Sequence, residues 1–378
     1  EVRVNNLSNE NNTGGPTISG ITTYSGRHFF VPPSGTTAER PSDCEPGSLR
    51  FNTDSAHLEY FKGDTIGWVE IEASTDELGG GTGSNLGFGT RGIVNLAYSP
   101  GIDNRIDFIT IPTLGNSQDF GNLTAGRVSA GHASSRTRDC IGGGYGPNTS
   151  DVIDSVEFAS TGNAIDFGDL TVNRYGVGAL SNQIRGVFNG GDSVNVIDYI
   201  AISSRGNAVD FGDCPTGYVQ RGLGNTVRGL WAGSEGPSVG TNNTIHQITI
   251  MTTGNSTDFG DLSYGRGGWG GGSNATRGIM MGGAPNSTTN RVNIIDFITI
   301  ATEGNAQDFG DLTDDMRGSR MIGCASPTRA VKFGGYNPGH TNVMCFVNIA
   351  TLGDAVDFGD LTSACAGAGS NSNGHGGL

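Results

Sequence analysis

The tripeptide Asp-Phe-Gly begins at Asp119, Asp166, Asp210, Asp258, Asp308 and Asp357, with gaps of 47, 44, 48, 50 and 49 residues. Repetition at a near-constant period constrains a fold more than any single motif, because each copy is one supersecondary unit that must stack on the next. One Asp-Phe-Gly would suggest the magnesium loop of a kinase; six copies without an HRD loop read as architecture. A second element keeps the rhythm: "TRGIVNLAY" (90–98), "TRDCIGGGY" (137–145), "IRGVFNGGD" (184–192), "VRGLWAGSE" (227–235), "TRGIMMGGA" (276–284) and "TRAVKFGGY" (328–336). Each leads through a loop to an alternating run such as "IDFITIP" or "IDYIAIS", and a small-residue run such as "GRVSAGHASS" follows Asp-Phe-Gly.

One period therefore holds four strands, here designated a ("GxGAxSN"), b ("TRGIxxGG"), c ("IDFITIA") and d ("GNAxDFGDL"). Four-stranded units of about 45 residues, repeated six times, predict the blades of an all-β propeller. Each small sheet is apolar on both faces and buries both when the ring closes. Gly and Ala in strand a suit the crowded axis. The strand-d aromatics Phe120, Phe167, Phe211, Phe259, Phe309 and Phe358 suit the wider outer gaps. The first repeat starts at strand b, while "SACAGAGSNSNGHGGL" after the last strand d reads as a spare strand a. Residues near 363–371 are thus expected to complete the first blade and remove an open edge. Composition agrees, since Gly fills 65 of 378 positions without the period of three that marks collagen.

The order of elements resembles the kelch repeat, with Arg266, "GGWGGGSN", "GIMMGG", "IIDFITIA" and "QDFGDL" as counterparts of its Arg, Gly-Ala, Gly-Gly, Tyr-Asp and Trp elements. Phe replaces the strand-d Trp in every copy. The resemblance spans residues 86–378 and implies a six-bladed kelch-like β-propeller closed by a C-terminal strand, with no particular activity.

The repeated polar residues read as structural. Arg91, Arg138, Arg185, Arg228, Arg277 and Arg329 open strand b, toward the same blade end as the Asp before each strand-d Phe, so an Arg–carboxylate tether is expected. The second acid of "DFGDL" (Asp169, Asp213, Asp261, Asp311, Asp360; Asn122 in the first copy) is expected to cap a turn rather than bind calcium. His28, His57, His132, His246, His340 and His375 share no repeat position, and no HxH or HExxH spacing occurs. Cys44, Cys140, Cys214, Cys324, Cys345 and Cys365 form no CxxC pair and are expected to be free thiols of a chain folded in a reducing cytoplasm. No catalytic residue, metal or cofactor is expected.

Loops b–c and d–a leave one face of an antiparallel meander, and the b–c loops differ in length and content. Tyr145, Asn148, Asp192, Asn195, Glu235, Asn242, Asn243, Asn286, Asn290, Tyr336, Asn337 and His340 form the candidate binding face. Such side chains suit hydrogen bonding to sugars or a protein partner, and the alternative is that they are solvated turns. A net charge of −15 argues against nucleic-acid binding, and no apolar run reaches the length of a membrane span. The chain begins at Glu1 without a charged-then-apolar leader, which leaves N-terminal processing open.

Residues 1–73 lack the repeat. Turn signals at "CEPG", "NTDSA" and "KGDT" separate short strands, with Phe51, Leu58, Tyr60, Trp68 and Ile71 expected to share an apolar face. Residues 74–85, "STDELGGGTGSN", read as a Gly-rich linker to a propeller over 86–378. The pattern "RFNTDS..LEYF.G..W..I" resembles a module of tailed-phage virion proteins. "TISGITTYSGRHFFVPPSGTTAERP" and the kelch-like array resemble structural proteins of phages infecting marine cyanobacteria. The resemblance implies a non-enzymatic virion structural protein of the tail fibre, appendage or decoration type, assembled in the host cytoplasm. Its N-terminal module would dock on other virion proteins, its loops would bind host surface glycan, and it would be a homo-oligomer. A purely architectural role and a glycan-acting enzyme are the alternatives.

Overall fold

The computed structural model describes residues 32–54, 57–71, 90–97, 101–191, 194–215, 219–235, 242–285, 291–313, 322–336 and 338–378. The chain divides into two compact units, Glu1–Thr75 and Asp76–Leu378.

In the first unit the strands Ser34–Gly35, Leu49–Asn52, His57–Phe61 and Trp68–Glu70 form one sheet in that order, its first pair parallel. Alternation sets Arg50 opposite Glu59 and Phe61 opposite Trp68. Glu59 is fully buried, accepts from Arg40 Nε at 3.0 Å and lies 3.1 Å from Arg50, which it answers as a buried carboxylate must. The Arg40 hydrogen bond holds its carboxyl below the ordinary range. Trp68 does not join Phe51, Leu58 and Tyr60 as expected. It lies against Phe61, with ring centroids 5.5 Å apart and the Arg50 guanidinium 5.8 Å away, because its cross-strand partner is Phe61 and neighbouring strand residues face opposite ways.

The second unit is all-β and propeller-like: among the described residues it holds six four-stranded antiparallel sheets, each ordered a-b-c-d. In the first sheet Gly369–Ser372 supplies strand a and pairs with Arg91–Asn95, followed by Arg105–Thr110 and Gln118–Asn122. The other five take their four strands in chain order.

Strand d is the outer edge of each sheet, and its outward backbone groups are taken up by the c–d turn of the following sheet. Phe120 C=O accepts from Gly162 N–H at 2.7 Å, Asn122 C=O accepts from Ala164 N–H at 2.8 Å, and Asn122 N–H donates to Asn163 Oδ1 at 3.1 Å. The same three bonds join Phe167 and Asp169 to Gly206, Asn207 and Ala208. They recur from Phe211 and Asp213 to Gly254, Asn255 and Ser256, and from Phe259 and Asp261 to Gly304, Asn305 and Ala306. Phe309 and Asp311 make them with Gly353, Asp354 and Ala355. Finally Phe358 and Asp360, in the last sheet, make them with Gly115, Asn116 and Ser117 in the first. "GNA" and "DFGD" are therefore two halves of one joint. The second acid contributes its backbone N–H, which an Asn or Asp of the next sheet caps. The strand-d Phe side chains are 2–3% exposed, and the Gly after each needs φ between 137° and 157°. A Cβ on Gly121 would land against the Gly162 carbonyl, so the close approach itself demands glycine.

The strand-b arginines make a second tie, and it is not the expected one. Arg91 donates to Phe158 C=O at 2.7 Å, Arg138 to Ile202 at 2.8 Å and Arg185 to Ile250 at 3.2 Å, each in the following sheet. Arg228 reaches Ile300, Arg277 reaches Ile349, and Arg329 of the last sheet reaches Ile111 of the first. Each guanidinium lies 4.3–6.0 Å over an aromatic ring of its own sheet. Asp119, Asp166, Asp210, Asp258, Asp308 and Asp357 are exposed and pair with none of them. Alternation explains the correction: Phe points into the gap between sheets, so the preceding Asp points to solvent.

Gly121→Ala and Gly162→Ala separate the two sides of one joint. Gly121→Ala is expected to cost about 2–4 kcal/mol in chemical denaturation, from its positive φ and the carbonyl clash. Gly162→Ala, whose Cβ meets nothing within 4 Å, is expected to cost less than about 1 kcal/mol.

Candidate functional site: loop face and central channel

Strand c carries a carboxylate at a position that alternation turns inward. Asp107, Asp154, Asp198 and Asp296 are at most 1% exposed. Three of them meet an arginine that precedes strand a: Arg127–Asp154 at 3.1 Å, Arg174–Asp198 at 2.8 Å and Arg266–Asp296 at 3.1 Å. Burial pushes each of these arginines below its ordinary pKa, and the paired aspartate opposes that shift. A hydroxyl residue from the end of the preceding sheet completes each site: Thr124 donates to Asp154, Thr171 to Asp198, Ser263 to Asp296, and Thr362 to Asp107. The sequence reading missed these sites, although the recurrent Asp of "IDFI" and "IDYI" inside an apolar run was a signal. In the fourth sheet His246 takes the position; it is 6% exposed, and among the described residues neither ring nitrogen has a hydrogen-bond partner. Burial lowers its pKa.

Residues of all six strands a line a common space. On the side where strands a begin, a cavity of about 40 Å³ is lined by His132, Val177, Arg221, Trp269, Ile322 and Ser370, among others. That space suits a few waters and is roughly a tenth of a small-molecule pocket. His132 is fixed from both sides, with Nδ1 2.7 Å from Asp139 Oδ2 and Nε2 3.0 Å from Asn95 Oδ1. The far end of the common space holds residues 373–378. Gly376 N–H donates to Ser273 C=O at 2.7 Å, His375 Nε2 lies 3.2 Å from Ser134 C=O, and His375 Nδ1 accepts from Gly377 N–H. This pattern fits a neutral imidazole donating from Nε2, and burial pushes its pKa down to about 4.

The loop face collects the non-repeated residues. Tyr145 is 43% exposed, its backbone N–H and C=O both bond Val128 at 2.8 Å, and its ring meets Tyr175 edge-to-face at 5.7 Å. Asn148, Asn195 and Asn243 are exposed, and Cys214 N–H donates to the Asn195 carbonyl. Asn242 Oδ1 turns back onto Thr244 N–H at 2.8 Å. Tyr336 and His340 meet edge-to-face at 5.7 Å, with the Arg291 guanidinium 5.1 Å over Tyr336 and its Nε bonded to the Tyr336 carbonyl. The aromatic candidates thus fall in two groups, one on the second and third sheets and one on the fifth and sixth. Asp192, Asn286, Asn290 and Asn337 lie outside the described residues; Glu235 lies in strand b of the fourth sheet, Arg228–Glu235, with its side chain outside the description. Among the described residues no group of three or more His, Cys, Asp or Glu converges as metal ligands, and no helix is long and apolar enough to cross a membrane. No protein-family model matches the chain, and no curated protein matches it.

His375 gives the common space a pH signature. Its folded pKa of about 4 lies below the ordinary histidine value, so between the two the unfolded chain binds a proton that the folded chain does not. Stability is expected to be fully present above about pH 6.5 and to fall as pH drops toward 4. His375→Gln is expected to flatten that part of the profile, read as denaturation midpoints between pH 7 and 4.5 in parallel with the unsubstituted protein.

Proposed function

We propose that the six sheets are the blades of a closed, kelch-like, six-bladed propeller in a non-enzymatic virion structural protein of a tailed phage. The chain serves as a tail fibre, appendage or decoration component, and its b–c loops bind a host surface glycan or another virion protein. A division of labour carries this reading. The repeated strand-d Phe and second acid, the Gly-Asn turns and the strand-b Arg are engaged between sheets, while unlike Tyr and Asn side chains stand exposed on one face of that frame. A rigid frame with variable loops is the arrangement that recognition by many polar and aromatic contacts requires.

The first unit supports the virion assignment through its motif. Arg50, Asn52 and Glu59 of "RFNTDS..LEYF" join one buried polar cluster, so the pattern encodes a specific small fold suited to docking. The architectural reading has its own support: Leu114, Ile184, Val227, Met251 and Leu352, on the turns opposite the loop face, are 44–61% exposed and suit packing against another protein.

Closure is tested by truncation after Thr362, which removes strand Gly369–Ser372 and is expected to lower the melting midpoint by on the order of 10 °C or more. An unchanged midpoint contradicts a ring closed by that strand. Function is tested on a glycan array with a parallel screen for glycan cleavage. Binding without turnover is the expected result, turnover overturns the non-enzymatic reading, and silence in both favours the architectural role.

A further inference from the structure

Three large apolar side chains of the loop face, Ile102 (42% exposed), Tyr145 (43%) and Val172 (37%), belong to loops of the first three sheets. Those loops touch through glycine. A Cβ on Gly126 would meet Ile102 Cγ2 at 3.3 Å, and a Cβ on Gly146 would meet the Gly126 carbonyl at 2.7 Å. Ile102, Gly126 and Gly146 therefore form a continuous row, with Tyr145 rising beside its end. The Tyr145 backbone is held by two bonds to Val128, and Gly144 N–H is fixed on Arg174 C=O at 2.8 Å. Tyr175 sets the ring from its edge. The result is an exposed aromatic on fixed backbone, beside a seam where the loops pack backbone to backbone and Gly146 is buried.

That shape suits a sugar ring, whose C–H face stacks on an aromatic while its hydroxyls take hydrogen bonds from neighbours such as the exposed Asn148 and Asn173. Charge narrows the class. Across residues 143–151 and 171–177 the cation is Arg174, which is buried on Asp198 at 2.8 Å and on the Val196 carbonyl. Arg105, near Ile102, is paired with Asp103 at 2.7 Å. Neither is free to answer a carboxylate or sulfate, and Asp151 in the same loop would repel one.

We infer that the exposed Tyr145 ring, backed by Tyr175 and flanked along the loop seam by Ile102, is a subsite for a neutral pyranose. The inference rests on the loop-face binding reading and names its ligand class.

The test uses the full chain on an array of neutral, uronate-bearing and sulfated oligosaccharides, followed by titration with the best-bound neutral one. The unsubstituted protein is expected to bind neutral oligosaccharides. Tyr145→Ala should weaken that binding roughly ten-fold, and Tyr145→Phe should stay within about two-fold, with melting midpoints unchanged. If Tyr145→Ala lowers the midpoint, Ile102→Ser provides the same comparison from the other end of the row. Neutral-glycan binding that neither variant weakens overturns the subsite and leaves glycan adhesion standing. Binding confined to acidic glycans overturns the neutral class alone. An array on which the unsubstituted protein binds nothing overturns the glycan reading and this inference together.

Discussion

The structure of the second unit depends on how each outer strand disposes of its free edge. A sheet of four strands leaves one row of unpaired N–H and C=O groups on strand d, and six sheets in one chain multiply that hazard. Here the groups at Phe and at the second acid are satisfied by the Gly-Asn turn of the following sheet, three hydrogen bonds at a time. The joint dictates the conserved spelling of both partners within the chain: a glycine where the backbones touch, and an Asn or Asp whose side chain caps the strand. Because the series runs from the last sheet back to the first, every strand d has a following turn. Strands a are linked in a similar way near the axis. Ser134 Oγ donates to Ser372 C=O, Ser181 Oγ to Ser134 C=O, and Ser273 Oγ to Gly224 C=O.

Such a frame tolerates variation elsewhere. The buried Arg–Asp–hydroxyl site is complete in the second, third and fifth sheets, lacks the arginine in the first, and carries His246 in the fourth and Cys345 in the sixth. A buried ion pair contributes little net stability over an apolar replacement, whereas a broken one is costly. Where the arginine is absent the carboxylate is either answered by hydroxyls, as Asp107 is by Ser117 and Thr362, or replaced, as by His246 and Cys345, while the outer joint is kept. The loops are freer still, since they lie beyond both sets of ties.

Much of this was legible in the sequence because it was periodic. Six Asp-Phe-Gly copies, alternating strand c runs and the Gly-Ser-Asn tail gave the four-strand unit and the place of the C-terminal strand. The partner of the strand-b Arg was misread because meander geometry gives the end of a sheet but not the side of a strand. Phe120 faces the gap, so Asp119 cannot meet Arg91, which bonds the next sheet's Phe158 carbonyl instead. Arg266 stood out as the counterpart of the kelch Arg, but the pairing of Arg127, Arg174 and Arg266 with strand c escaped notice because their partners lie 24–30 residues away and loop length varies between copies. Trp68 was placed on the wrong face for a similar reason, as "WVE" is too short to show alternation. The Ile102–Gly126–Gly146 row was illegible, since it is assembled from loops of different sheets with no common spacing.

Amide hydrogen exchange at the joints tests the central claim most directly. The N–H groups of Gly162, Gly206, Gly254, Gly304 and Gly353 donate to the strand-d Phe carbonyls between successive sheets, and Gly115 N–H does so between the last sheet and the first. A ring closed by identical joints gives Gly115 the same protection as the other five. Exchange of Gly115 at the rate of an open loop, with the others protected, would show an open array of sheets and contradict the account.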